Sequence, residues 1–112
     1  MWLFTKYGFF SVVCARAGDG SGNSPVDPDR MMIRGRLRDH LERLKARCAP
    51  RLDASDIAES RDADYRYRMF VSKEAWQAIA SELAGEVDYD NFKSAVAQYQ
   101  GAAGQAYDEA LH

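Results

Sequence analysis

The chain has few of the residues that small proteins use as staples. Its 112 residues include two cysteines, two histidines and three prolines. Cys14 and Cys48 stand far apart, and neither His40 nor His112 completes a metal-ligand spacing with them. A disulfide framework and a zinc-finger arrangement are both excluded on that count. Each cysteine lies in an apolar stretch, which predicts buried free thiols and a reducing, cytoplasmic location. No apolar run approaches the ~20 residues of a membrane helix, so no membrane partner is expected. Tyr7 to Cys14 is apolar and precedes Ala15-Arg16-Ala17, a sequence like a signal-peptidase site. The run is short and aromatic, its charge comes late, and an arginine splits the alanines, all of which are wrong for a secretory signal. Lysine is also scarce, since eleven of the fifteen basic residues are arginine. Arginine suits bidentate pairing and stacking better than lysine does.

What is present describes a globular chain. Hydrophobic residues make up 46% and charged residues 29%, outside the range of disordered sequences. The length fits one domain, residues 1–112. The net charge of −2 conceals a strong asymmetry. Residues 30–73 carry twelve Lys/Arg against seven Asp/Glu, a local net of +5. Residues 74–112 carry one Lys against seven Asp/Glu, a local net of −6. A basic middle and an acidic end attract each other within one chain or between two.

Periodicity divides the chain into short elements. Residues 9–15 read as a strand apolar on both faces and therefore central, and Lys6-Tyr7-Gly8 marks a turn or bulge before it. Residues 18–29 read as a mobile loop by composition. The stretch 30–48 allows two readings. Asp27-Pro28-Asp29 would start one long helix, but Gly35 would then sit inside it at a cost of roughly 1 kcal/mol. A strand over 30–36 feeding a helix over 37–48 is preferred, with Leu37, Leu41, Leu44 and Cys48 in one stripe. Residues 57–60 and 65–71 read as strands joined by a turn. On the second, Tyr65, Tyr67, Met69 and Val71 share one face while Arg66, Arg68 and Phe70 share the other. Ser72 is the predicted cap of a helix that buries Trp76, Ile79 and Leu83 and ends at Gly85. Asp90 is the predicted cap of another, with Phe92, Val96 and Tyr99 on one side. Residues 101–112 read as a fraying tail. The order points to an α+β fold, ferredoxin-like, with helices packed on one face of a mainly antiparallel sheet.

The chemistry concentrates in two steps, Arg34-Gly35-Arg36 and Arg66-Tyr67-Arg68. Strand alternation places both arginines of a step on one side. With Phe70 they would form a basic sheet face, Arg34, Arg36, Arg66, Arg68 and Phe70, turned away from the helices. Its expected partners are acidic: Glu82, Glu86, Asp88, Asp90 or Asp108 of the same chain, of a second copy in a homo-oligomer, or an acidic protein. RNA or another phosphate-bearing ligand is the alternative. The only aromatic expected on that face is Phe70, and the sequence pI of about 5.6 disfavours a dedicated nucleic-acid binder. A third reading is a small cofactor-free enzyme with Tyr65, Tyr67, Trp76 and His40 around a pocket. No cofactor, metal site or catalytic residue is assigned. Asp19-Gly20-Ser21-Gly22-Asn23 resembles half a calcium loop but lacks the twelve-residue frame.

Three segments together resemble a group of uncharacterised small bacterial proteins. They are Trp2 to Arg16, Val26-Asp27-Pro28-Asp29-Arg30 and Asp88-Tyr89-Asp90-Asn91-Phe92-Lys93. The resemblance implies a bacterial, cytoplasmic origin and transfers no activity, cofactor or site residue. The reading that results is a non-catalytic interaction or regulatory module that self-associates through its sheet.

Overall fold

Alternation of apolar residues on the strands builds one five-stranded sheet, in the order β1-β2-β3-β5-β4 with every neighbouring pair antiparallel. The computed structural model describes residues 1–18 and 22–100. The elements are β1 (Trp2–Thr5), β2 (Gly8–Arg16), β3 (Val26–Gly35), α1 (Arg38–Arg47), β4 (Ala58–Glu59), β5 (Tyr67–Ser72), α2 (Lys73–Gly85) and α3 (Phe92–Gln100). The α+β class is as expected, and the strand preferred over residues 30–36 forms. It starts earlier than expected, at Val26, so the loop gives up residues 26–29. Pro28 fits there because the ladder is interrupted: Cys14 pairs with Met31 and Ala15 with Asp27, which leaves residues 28–30 bulged out of β2's register. The expected tail at 101–112 lies outside the described residues.

The ferredoxin-like order does not form. β3, α1 and β4 make a split β-α-β unit, because β4 runs parallel to β3 with β5 between them. A ferredoxin-like chain would follow α2 with a last strand beside β3. Here that position is held by β2, which comes earlier in the chain, and α2 is followed by α3.

One face of the sheet carries the main core. Phe10, Val12, Met31, Ile33, Met69 and Val71 meet Leu41 and Leu44 of α1 and Trp76, Ile79 and Leu83 of α2. Of the stripes read from the sequence, Leu41, Leu44 and Cys48 and Trp76, Ile79 and Leu83 are buried, while Leu37 precedes α1 as its N-cap and is half-buried. Cys48 is buried in this core and Cys14 is half-buried, both as free thiols. Burial pushes the Cys48 thiol up from its ordinary pKa. Thr5 stabilises the β1–β2 turn: its Oγ1 accepts from the amides of Tyr7 and Gly8 and donates to the Gly8 carbonyl. The predicted cap of α2 is present, with Ser72 Oγ accepting from the Ala75 amide at 3.1 Å. Ser72→Ala is expected to cost about 1 kcal/mol in urea unfolding. An unchanged midpoint would show that the exposed cap is redundant.

α3 departs from the expectation of helices on one face. Its Val96 and Phe92 pack with Phe9 and Tyr65, and Phe9 points away from Phe10 on the far side of β2. Its cap is Asn91, whose Oδ1 accepts from the Ser94 amide, one residue after the predicted Asp90. Phe92 and Val96 do share a side as predicted. Among the described residues no helix is long and apolar enough to cross a membrane.

Candidate functional site

The face opposite the main core is read by strand register. Trp2 pairs with Ser11, Ser11 with Arg34, and Arg34 with Arg68, so these four stand in one row across four strands. The adjacent rows hold Phe4 opposite Phe9, and Met32 opposite Phe70. Alternation gives Phe4, Phe9, Met32 and Phe70 the same side as this row. The face is therefore richer in aromatics than Phe70 alone, and that expectation is corrected. Phe9 lies in a strand with large apolar residues on both sides, Phe9 and Val13 on one and Phe10 and Val12 on the other, so polarity alone does not mark which side faces the core. Tyr65 also lies here rather than beside Tyr67. It precedes β5 in a bend, outside the strand's alternation, and its ring meets Phe9 at 6.2 Å between centroids.

The arginines of this face stack on its rings. The guanidinium carbon of Arg34 lies 4.7 Å from the Tyr65 ring centroid, and that of Arg36 lies 5.4 Å from Tyr65 and 5.5 Å from Phe9. Arg30, which the sequence reading did not include, lies 4.3 Å over Phe70. Such contacts offset part of the desolvation of a half-buried cation. The two Arg-X-Arg steps behave differently. Arg34 and Arg36 share their side, as alternation requires. Arg66 precedes β5 and turns to Glu59 at 3.4 Å, so it does not join the Arg34–Arg68 row.

Arg34 and Arg68 are the centre of the site. They are direct cross-strand partners, an arrangement that costs stability when the charges are alike. Arg34 donates from Nη2 to Ser11 Oγ at 2.8 Å. Arg68 donates from Nη2 to the Tyr65 carbonyl at 3.2 Å and from Nη1 to the Met32 sulfur at 3.7 Å. Their acceptors are a hydroxyl, a carbonyl and a thioether, all uncharged. The Nε of each is buried and has no hydrogen-bond partner among the described residues. Neither arginine has a carboxylate within ion-pair distance among those residues.

Two of the acidic residues expected to neutralise this face are used elsewhere. Glu82 pairs with Arg51 and Glu86 with Arg47. Glu86 also accepts the Tyr7 hydroxyl at 2.7 Å. Burial, and next the bond to Glu86, push the Tyr7 phenol up to about 12. Asp108 lies outside the described residues. The reason for the correction is geometric, since the end of α2 packs on the helix-covered side of the sheet beside Tyr7.

Comparison with family models, curated proteins and solved structures finds no match. The site is accordingly read from its own geometry. The grouping proposed for an enzyme does not assemble, because Tyr65 lies on the arginine face while Trp76 is in the core beneath α2. His40 is 2% exposed and is packed against Gly8 and Phe10. Among the described residues no three His, Cys, Asp or Glu side chains are grouped to hold a metal ion.

Proposed function

We propose that the chain is a non-catalytic interaction module whose arginine-rich sheet face takes an acidic protein segment, contributed by another protein or by a second copy. The observation that carries this reading is the Arg34–Arg68 pair: two half-buried cations directly opposite each other, with unpartnered Nε groups and no neutralising carboxylate among the described residues. A buried donor without an acceptor costs about 1–3 kcal/mol, which an incoming carboxylate recovers by pairing with arginine. Trp2 and Phe4, 68% and 49% exposed on the same face, offer an apolar anchor beside the charge.

Nucleic acid is the lesser reading for a physical reason. Bases need free ring faces to stack on. Phe70 is occupied by Arg30 and Tyr65 by Arg34 and Arg36, while Phe9 is buried beneath Phe4, stacked at 4.6 Å, which leaves the exposed rings of this face, Trp2 and Phe4, on the β1 edge away from the Arg34–Arg68 pair. The net charge of −2 also repels a polyanion at long range.

A fluorescent Asp/Glu peptide containing one Phe and a mixed single-stranded oligonucleotide, each at ~50 mM salt, test the two readings by anisotropy. The peptide is expected to bind, and Arg34→Gln with Arg68→Gln to weaken it at least tenfold. Removing two opposed charges from the free protein should leave its melting temperature nearly unchanged. Size-exclusion with light scattering reports whether a second copy serves as the partner. Oligonucleotide binding in place of peptide binding would reverse the assignment, and equal peptide binding by the double variant would remove it.

A further inference from the structure

The two edges of the sheet are built differently. β4 is two residues long and charged, and its Glu59 carboxylate pairs with Arg61 at 3.3 Å and with Arg66 at 3.4 Å. Short length and charge are devices by which a sheet edge avoids pairing with another chain. β1, Trp2-Leu3-Phe4-Thr5, has no charge, no proline and no bulge against β2. Among the described residues it has a strand neighbour on one side only.

Register shows which backbone groups of β1 face outward. The Val12 amide donates to the Met1 carbonyl at 2.8 Å, so Met1 and Val12 form a hydrogen-bonded pair. Bonded and non-bonded pairs alternate along an antiparallel ladder. Leu3 with Phe10 and Thr5 with Gly8 are then bonded pairs too, and Trp2 and Phe4 turn their N–H and C=O groups to the open edge. The same two residues carry the exposed rings, at 68% and 49%. Leu3 takes the other side of the sheet, next to a hollow of about 210 Å³ that Ala80, Ala84 and Val87 also border.

We infer that β1 is the dimerisation edge of this chain, pairing antiparallel with β1 of a second copy about a two-fold axis at Leu3. The outward residues lie one on each side of Leu3. Rotation about that point sets Trp2 opposite Phe4 of the second copy, and Phe4 opposite its Trp2, so every outward N–H meets an outward carbonyl. The neighbouring registers, Trp2 on Trp2 or Phe4 on Phe4, leave half of these groups without a β1 residue opposite. A second copy fits better than a charged partner strand because residues 2–5 carry no charge. Two copies meet there without like-charge repulsion, and nothing in the strand selects an opposite sign. On the arginine face the rings of both copies stand side by side, and aromatic cross-strand pairs stabilise a sheet. On the other face Leu3 meets Leu3 of the second copy beside the hollow.

Size sets the strength. At these exposures the two rings offer roughly 250 Å² per copy, and with the short edge they stay below the ~800 Å² per partner of a standard interface. The dimer is therefore weak, with a Kd of roughly 10–100 µM. It is separate from the Arg34–Arg68 pair and holds whether or not that face takes an acidic segment.

Sedimentation velocity of the full chain from about 5 µM to about 1 mM, with amide exchange read by NMR, tests the edge. The average mass is expected to rise from monomer toward dimer across that range. The Phe4 amide should exchange severalfold more slowly at the upper concentration, while the Leu3 amide, already bonded to β2, changes little. Trp2→Lys places a charge on the edge from an exposed position and should weaken the dimer at least tenfold. If that variant unfolds, Trp2→Pro deletes an outward N–H without touching the β1–β2 bonds and should do the same. Arg34→Gln with Arg68→Gln should leave the mass unchanged. A monomer at about 1 mM overturns the inference. A dimer that the folded Trp2 variant leaves intact, or one in which the Phe4 amide gains no protection, overturns the edge as its location. Loss of the dimer in the arginine variant alone would assign self-association to the arginine face instead.

Discussion

Gly8→Ala is expected to lower stability by about 3 kcal/mol or more, the usual upper range for forcing a group into packed space. A Cβ at residue 8 would lie 2.4 Å from His40 Cγ, 2.5 Å from His40 Cβ and 2.9 Å from His40 Nδ1. The first two are carbon–carbon approaches that real side chains do not make. Neither partner can step aside easily. Gly8 begins β2 and is paired to Thr5 across the turn, while His40 is 2% exposed in the first turn of α1. The neighbouring Phe9 amide donates to His40 Nδ1 at 3.3 Å, so a shift that relieves the clash also breaks a buried hydrogen bond. The matched control is Gly35→Ala. There the nearest atoms, Leu41 Cδ2 and Cγ, stand at 3.5 Å, an ordinary contact, and the loss should stay within about 1 kcal/mol. Urea unfolding of both variants checks the contrast. Equal losses at the two glycines would show that backbone approach to His40 does not govern the docking of α1 onto β2.

That contact also shows where sequence reading stops. Gly8 is recognisable as part of an interruption, and His40 as a neighbour of the Leu37–Leu41–Leu44 stripe. Local patterns give no sign that they touch, because their separation is closed only when α1 crosses β2. The same boundary runs through the candidate site. The two-residue turn at Lys6-Tyr7 implies the pairings of Phe4 with Phe9 and Trp2 with Ser11, so these aromatics were within reach of inference from the hairpin. The Ser11–Arg34 register was not, because the bulge at residues 28–30 shifts β3 against β2. The Arg34–Arg68 pairing depends on β5 inserting between β3 and β4, a choice of topology that periodicity leaves open. Strand alternation correctly turned Arg34 and Arg68 from the helices. It could not say that Tyr65, one residue before Arg66, leaves the pattern and becomes the platform under Arg34. Charge asymmetry likewise indicated an internal attraction but not its address: Arg47 and Arg51, following the stripe of α1, take Glu86 and Glu82 on the covered side.

His40 carries a second large effect, on the pH dependence of stability. Burial lowers its pKa from 6.5 to about 4; Asp39 opposes that shift and Arg43 adds to it. The imidazole must be neutral to accept the Phe9 amide at Nδ1, and a proton placed there would set donor against donor. The folded state thus binds the proton more weakly than the unfolded chain does. The stabilisation is complete above pH 6.5, the unfolded value, and declines as pH falls toward 4. At 1.36 kcal/mol per pH unit, the full excursion amounts to roughly 3 kcal/mol. Urea midpoints measured from pH 7.5 to 4.5 should therefore fall with acidification, most steeply below pH 6. His40→Gln is the decisive comparison, because its amide oxygen can accept from Phe9 without titrating. The variant should begin less stable at pH 7.5, having lost the ring's edge contact with Phe10, and should then decline more gently, so that the two curves converge as the solution becomes acidic. Carboxylates that titrate in the same range act on both proteins equally and cancel in the difference. Parallel curves would mean that His40 takes up its proton as readily in the folded chain as in the unfolded one, and that the imidazole is not the neutral acceptor on which the β2–α1 contact depends.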